Sequence, residues 1–126
     1  MLNLSIQHVE IRVSSLEAAK DFYANKLGLQ VIEEIPAISL LALKAGSVRL
    51  SIFGGFRKQA ASMDDLTNTH VVFRTKNISE TMIELQSRGL NFPEGIKEAP
   101  GFIRFISLQD PDGNLIEIGE YLREPV

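Results

Sequence analysis

No cysteine occurs anywhere in the 126 residues. This removes disulfides, thiolate metal sites and cysteine nucleophiles together. Histidine is nearly as scarce. His8 and His70 are the only two, so any chemistry that needs imidazole must use them. No run approaches the roughly eighteen apolar residues that span a bilayer. The opening MLNLSIQHVEIRV has neither the basic nor the long apolar region of a secretory signal. A soluble, cytoplasmic chain with no membrane partner is the expectation. An excess of positive charge is also missing: 13 Lys and Arg stand against 16 Asp and Glu, a net charge of -3. That argues against a nucleic-acid partner, because neutralising phosphates needs clustered basic residues. What is present is core material. Hydrophobic residues make up 44% and charged residues 23%, enough for one domain of ordinary size.

The chain reads as one unit written twice. HVEIRVSSLEAAKDFYANKLGL from His8 lies over HVVFRTKNISETMIELQSRGL from His70. His8/His70, Val9/Val71 and Arg12/Arg74 coincide, and Gly28-Leu29 matches Gly89-Leu90 after a one-residue slip. In both copies a strand of alternating pattern leads into a capped helix. Ser14 with Glu17 and Asn77 with Glu80 are the expected caps. Leu16, Ala19, Phe22, Tyr23 and Leu27 form one helical stripe, and Ile78, Met82 and Leu85 the other. Gly28 and Gly89 suit the left-handed position that ends a helix. Three strand-like runs follow in each copy: LQVIEE, ISLLALK and VRLSIF, then LNF, FIRFISL and LIEIGEY. The fold class is therefore α+β, two βαβββ modules over about residues 1–55 and 68–122. A linker at about 54–69 joins them, with Gly54-Gly55 as its flexible start.

Strand alternation then sorts the polar residues. His8, Glu10 and Arg12 share one face of the first strand, and His70, Val72 and Arg74 the equivalent face. Leu115, Glu117 and Gly119 share a face of the last strand. Helices must cover the apolar faces, so these polar faces point away from them. Two imidazoles and a carboxylate suit a facial site for Fe, Mn, Co, Ni or Zn. The alternative is a pair of inert surface histidines. Arg12 and Arg74 could hold a substrate carboxylate or phosphate through the guanidinium fork, or simply be solvated. Matching GSVRLSI from Gly46 to GNLIEIG from Gly113 puts Leu50 opposite Glu117.

The His, FY and LG of the first copy and the closing DPDGNLIEI resemble the vicinal oxygen chelate superfamily. That superfamily includes glyoxalase I, the extradiol dioxygenases, methylmalonyl-CoA epimerase, and the fosfomycin and bleomycin resistance proteins. The resemblance implies an open curved barrel of paired βαβββ modules, a divalent metal ion, and a homodimer. It places His8, His70 and Glu117 at metal-ligand positions. At the fourth position, which carries Glu in glyoxalase I, the alignment gives Leu50. The expectation is a glyoxalase-like, metal-dependent enzyme acting on a small oxygenated metabolite, of lyase, isomerase or dioxygenase type. Glu10 is its candidate general base. The alternative is a non-catalytic protein that binds an antibiotic or other small molecule in a dimer cleft.

Overall fold

The structure is a computed structural model that describes residues 2–57 and 71–123. The chain divides into two compact units, residues 1–59 and 60–126. The first holds β1 (Val9–Arg12), α1 (Leu16–Lys20) running into a π-helical turn (Asp21–Lys26), β2 (Gln30–Ile35), β3 (Leu40–Ala45) and β4 (Val48–Phe53). The second holds β5 (Val71–Arg74), α2 (Ile78–Ser87), β6 (Lys97–Ala99), β7 (Ile103–Gln109) and β8 (Leu115–Tyr121). Each is a βαβββ module, and the class is α+β. The sheets have matching orders, β1-β4-β3-β2 and β5-β8-β7-β6. In each, the first strand runs parallel to the last and the other pairs are antiparallel. Among the described residues no helix is long and apolar enough to cross a membrane.

One face of each sheet is apolar, and the module's helix covers it. In the first half Ile11, Leu41, Leu43, Leu50 and Ile52 are buried with Ala19, Phe22 and Tyr23 of the helix. Phe22 and Tyr23 meet edge to face, with ring centroids 4.9 Å apart. In the second half Ile106, Leu108, Ile116 and Ile118 are buried with Ile78 and Leu85 of α2. Fully burying such a side chain contributes about 1.5–3 kcal/mol, so these faces supply most of what holds each module together.

The helices start a little differently from the sequence pattern. Ser15, not Ser14, caps α1, its Oγ accepting from Ala18 N at 3.2 Å. Asn77 caps α2 as expected, with Oδ1 accepting from Glu80 N at 3.0 Å. A second cap comes from far along the chain: Ile78 N donates to Glu120 Oε1 of β8 at 2.9 Å. This satisfies another of the helix's orphan amides and ties α2 to the last strand. Gly28 and Gly89 take the left-handed backbone expected of them, with φ of 78° and 91°.

Two expectations are corrected. LNF is not a strand. Phe92 is buried as an anchor, Pro93 cannot donate to a ladder, and Gly95 N closes a turn on Phe92 O at 3.0 Å. The sixth strand is instead the polar KEA, residues 97–99, paired to β7. Nor is Gly54-Gly55 loose chain. Gly54 N donates to Ser39 O at 3.0 Å and Gly55 N to Ser14 O at 3.2 Å. A Cβ on Gly54 would lie 2.7 Å from Leu16 Cγ, so only glycine lets the chain pass the helix start here. His70 and most of the expected linker lie outside the described residues.

Candidate functional site

Register decides which residues share the faces turned away from each module's helix, here called the uncovered faces. Val9 pairs with Leu50 and Glu10 with Ser51. In the second half Val71 pairs with Ile116 and Val72 with Glu117. The antiparallel partners agree: Ala42 faces Ser51, and Ser107 faces Glu117. The equivalent of Glu117 is therefore Ser51. Leu50 corresponds to Ile116; both are buried on the helix-covered faces, where no polar ligand could work. This corrects the sequence alignment by one residue, and a one-residue slip moves a side chain to the opposite face. The cause is turn length. Between the equivalent pairs Ala45–Val48 and Asp110–Asn114 the first half has Gly46-Ser47 and the second Pro111-Asp112-Gly113. Matching the two glycines absorbs the extra residue on the wrong side.

On the uncovered face of the first half, His8, Glu10 and Arg12 form a line. His8 stands just before β1 and is hydrogen-bonded through Nδ1 to Gln7 Oε1. Its Nε2 lies 3.9 Å from Glu10 Oε1. The other Glu10 oxygen lies 3.9 Å from Arg12 Nε. The guanidinium of Arg12 stacks over Phe56, 4.9 Å from the ring centre. Across the ladder Ser51 is buried, its Oγ accepting from Arg49 Nε at 3.5 Å. Arg49 is in turn paired with Glu33 at 3.8 Å.

On the equivalent face of the second half, Glu117 is half-buried between Val72 and Ser107. Two residues on, Gly119 leaves room for Ile103, whose Cδ1 would be 2.5 Å from a Cβ at this position. Arg74, the repeat mate of Arg12, lies with its guanidinium 5.5 Å from the centre of the Tyr121 ring. Each half therefore presents an arginine on an aromatic face, at the end of its first strand. A cleft of about 350 Å³ opens beside the end of β7, lined by Leu90, Asn91, Pro93, Glu94, Ser107 and Gln109 among others. Ser107 links it to the Glu117 row.

Among the described residues no three His, Asp or Glu gather into a metal-holding group. His70 is not among them, so the expected set of His8, His70 and Glu117 is represented by His8 and Glu117. The contacts of three polar residues, Ser51, Glu120 and Asp110, do not show in the sequence pattern. Asp110 is buried and its carboxylate accepts from Asp112 N, Asn114 N and Asn114 Nδ2 at 2.9, 2.8 and 2.8 Å. It fixes the turn that launches β8 and so sets where Glu117 falls. The DPDGN string signals a turn, but burial of its first carboxylate is a tertiary fact.

Comparison with known proteins agrees with this architecture. Virulence protein STM3117 of Salmonella typhimurium is 29% identical over 93% of this chain and 84% of its own length. The solved structure of a glyoxalase family protein from Enterococcus faecalis is 29% identical, with a TM-score of 0.74 over 92% of this chain and 97% of that one. TnmS3, an antibiotic binding protein from Streptomyces sp. CB03234, is 27% identical, with a TM-score of 0.74 over 94% of this chain and 96% of that one. The family model described as Glyoxalase/Bleomycin resistance protein/Dioxygenase superfamily matches residues 5–118. With paired βαβββ modules of matching strand order and a match over nearly its whole length, the chain belongs to the Glyoxalase/Bleomycin resistance protein/Dioxygenase superfamily.

Proposed function

We propose that this protein is a metal-dependent enzyme acting on a small oxygenated metabolite, by lyase, isomerase or dioxygenase chemistry. The observation that carries the reading is the pairing of donors on uncovered faces. His8, just before the first strand, lies beside Glu10 on it, and Glu117 is half-buried on the last strand, in the row equivalent to Glu10's. Imidazole nitrogen and carboxylate oxygen without thiolate suit Fe, Mn, Ni, Co or Zn. His8, His70 and Glu117 would hold the ion. When bound, it would supply Lewis-acid polarisation of a substrate oxygen.

The chain's own residues do the rest. Arg12 and Arg74 sit at equivalent strand ends with their guanidinium groups over aromatic rings. A guanidinium fork matches the geometry of a substrate carboxylate or phosphate. Ser107 and Gln109 line the cleft in the second half. A small-molecule substrate, a homodimer and a cytoplasmic location belong to the same proposal. Light scattering on the purified chain tests the dimer.

Metal analysis of protein purified without chelators tests the central claim. Uptake approaching one ion per chain is the expected result. Less than about a tenth of an equivalent, with no gain on adding Fe, Mn, Ni, Co or Zn, would end the reading. The likeness to TnmS3 favours a second reading, a non-catalytic protein that binds an antibiotic or similar molecule. That reading expects His8→Ala to leave small-molecule affinity intact, whereas the enzyme reading expects it to abolish turnover.

A further inference from the structure

We infer that Lys44 and Arg49, on the uncovered face of the first sheet, form a binding site for an oxyanion, the phosphate or carboxylate group of a small molecule. The site lies within the first module and needs no metal, so it stands apart from the proposal above. The internal repeat carries it. Lys44 pairs directly with Arg49 across β3 and β4, and the equivalent pair in the second half is Gln109 with Leu115. Two residues along β4, Ser51 stands where the second half has Glu117. The second half thus fills three matched positions with an amide, an apolar side chain and a carboxylate. The first half fills them with two cations and a hydroxyl. The same patch of the same fold carries a negative charge in one half and only positive charge in the other.

Residues directly opposite on an antiparallel pair have Cβ atoms about 4.5–5.5 Å apart, and like charges there are destabilising. An anion between them turns that repulsion into two attractions. The sheet's own carboxylates do not do this for Lys44. Glu10 lies beside His8 and Arg12, and Glu34 is paired with Lys20. Glu33 Oε2 is 3.8 Å from Arg49 Nη2, too far for a hydrogen bond. Lys44 is exposed, has the neutral Gln30 as its other ladder partner, and makes no ion pair among the described residues. Arg49 Nε donates to Ser51 Oγ, which anchors the guanidinium, while its two Nη groups make no hydrogen bond among the described residues. The Arg49 side chain is 29% exposed, so a ligand can reach it in a partly shielded place where charge-assisted hydrogen bonds are strong. The fork takes two oxygens of a carboxylate or phosphate, and the lysine ammonium adds a point charge.

Titration of the isotope-labelled full chain with inorganic phosphate, and separately with acetate, at constant ionic strength tests the site through its amide NMR shifts. Saturable shifts centred on Lys44 and Arg49 below about 50 mM anion are expected. Saturation by phosphate, by acetate or by both supports the site and names the group it takes. The double variant Lys44→Gln, Arg49→Leu copies the second half's pair and is expected to weaken binding at least about tenfold. Lys44→Gln alone changes an exposed residue and is expected to weaken it about threefold, which keeps the test in hand where circular dichroism finds the double variant unfolded. Arg88→Gln, at the end of α2, is expected to change nothing. Shifts that grow without saturating for both anions would overturn the inference. So would saturable binding that Lys44→Gln and the folded double variant leave unaltered. A chain that takes up no metal yet binds the anion here leaves this site standing without the metal reading.

Discussion

Removing the Asp110 carboxylate is the sharpest test of how β8 is positioned. Asp110→Ala leaves the amides of Asp112 and Asn114 and the Asn114 side chain without their acceptor. Hydrogen bonds to a charged group are worth about 1.5–3 kcal/mol each, but three on one carboxylate do not add in full. Asp112 and Asn114 are only half-buried, so water can recover part of the loss. The expected cost is about 3 kcal/mol. With a urea slope near 1.5 kcal/mol per molar, the unfolding midpoint falls by about 2 M. Asp110→Asn keeps an oxygen for both backbone amides and loses the charge and the oxygen that accepts from the Asn114 side chain. It is expected to cost about 1 kcal/mol. Urea titration followed by far-ultraviolet circular dichroism reads both. A midpoint shift below about 0.5 M for Asp110→Ala would refute the claim that this carboxylate organises the turn.

The close approach at Gly119 gives a second test. Gly119→Ala brings a methyl against Ile103 and should cost about 1–2 kcal/mol by overpacking. In an Ile103→Val background, which lacks Cδ1, the same change should cost less, and a double-mutant cycle measures the difference. At the helix, Glu120→Ala takes the long-range acceptor from Ile78 N and should cost about 1 kcal/mol. Hydrogen exchange should show the loss as faster opening in the first turn of α2.

Most of the fold was legible because its determinants are local. Alternation in HVEIRV and FIRFISL, the apolar stripe in each helix, and the terminal glycines each depend on neighbours in sequence. The uncovered faces were legible for the same reason, since His8, Glu10 and Arg12 sit two residues apart. Three features were not. The match of Ser51 to Glu117 depends on which residues pair across the ladder, and the two hairpin turns differ in length. β6 is a polar edge strand, so KEA carries no apolar signal while the more hydrophobic LNF misleads. The Glu120 cap reaches a helix 42 residues away, a distance that periodicity cannot see.

The unequal hairpins also bear on how the two halves can diverge. Leu43 against Leu50, and Leu108 against Ile116, lock the strands through buried pairs, so the turn beyond them can gain a residue without changing any face. Length variation is cheap at this end of each module. By contrast, an insertion beyond Ser51 or Glu117 would reverse the remaining strand and expose its core. The ladder thus separates the sequence into a part that can drift in length and a part that can change only by substitution.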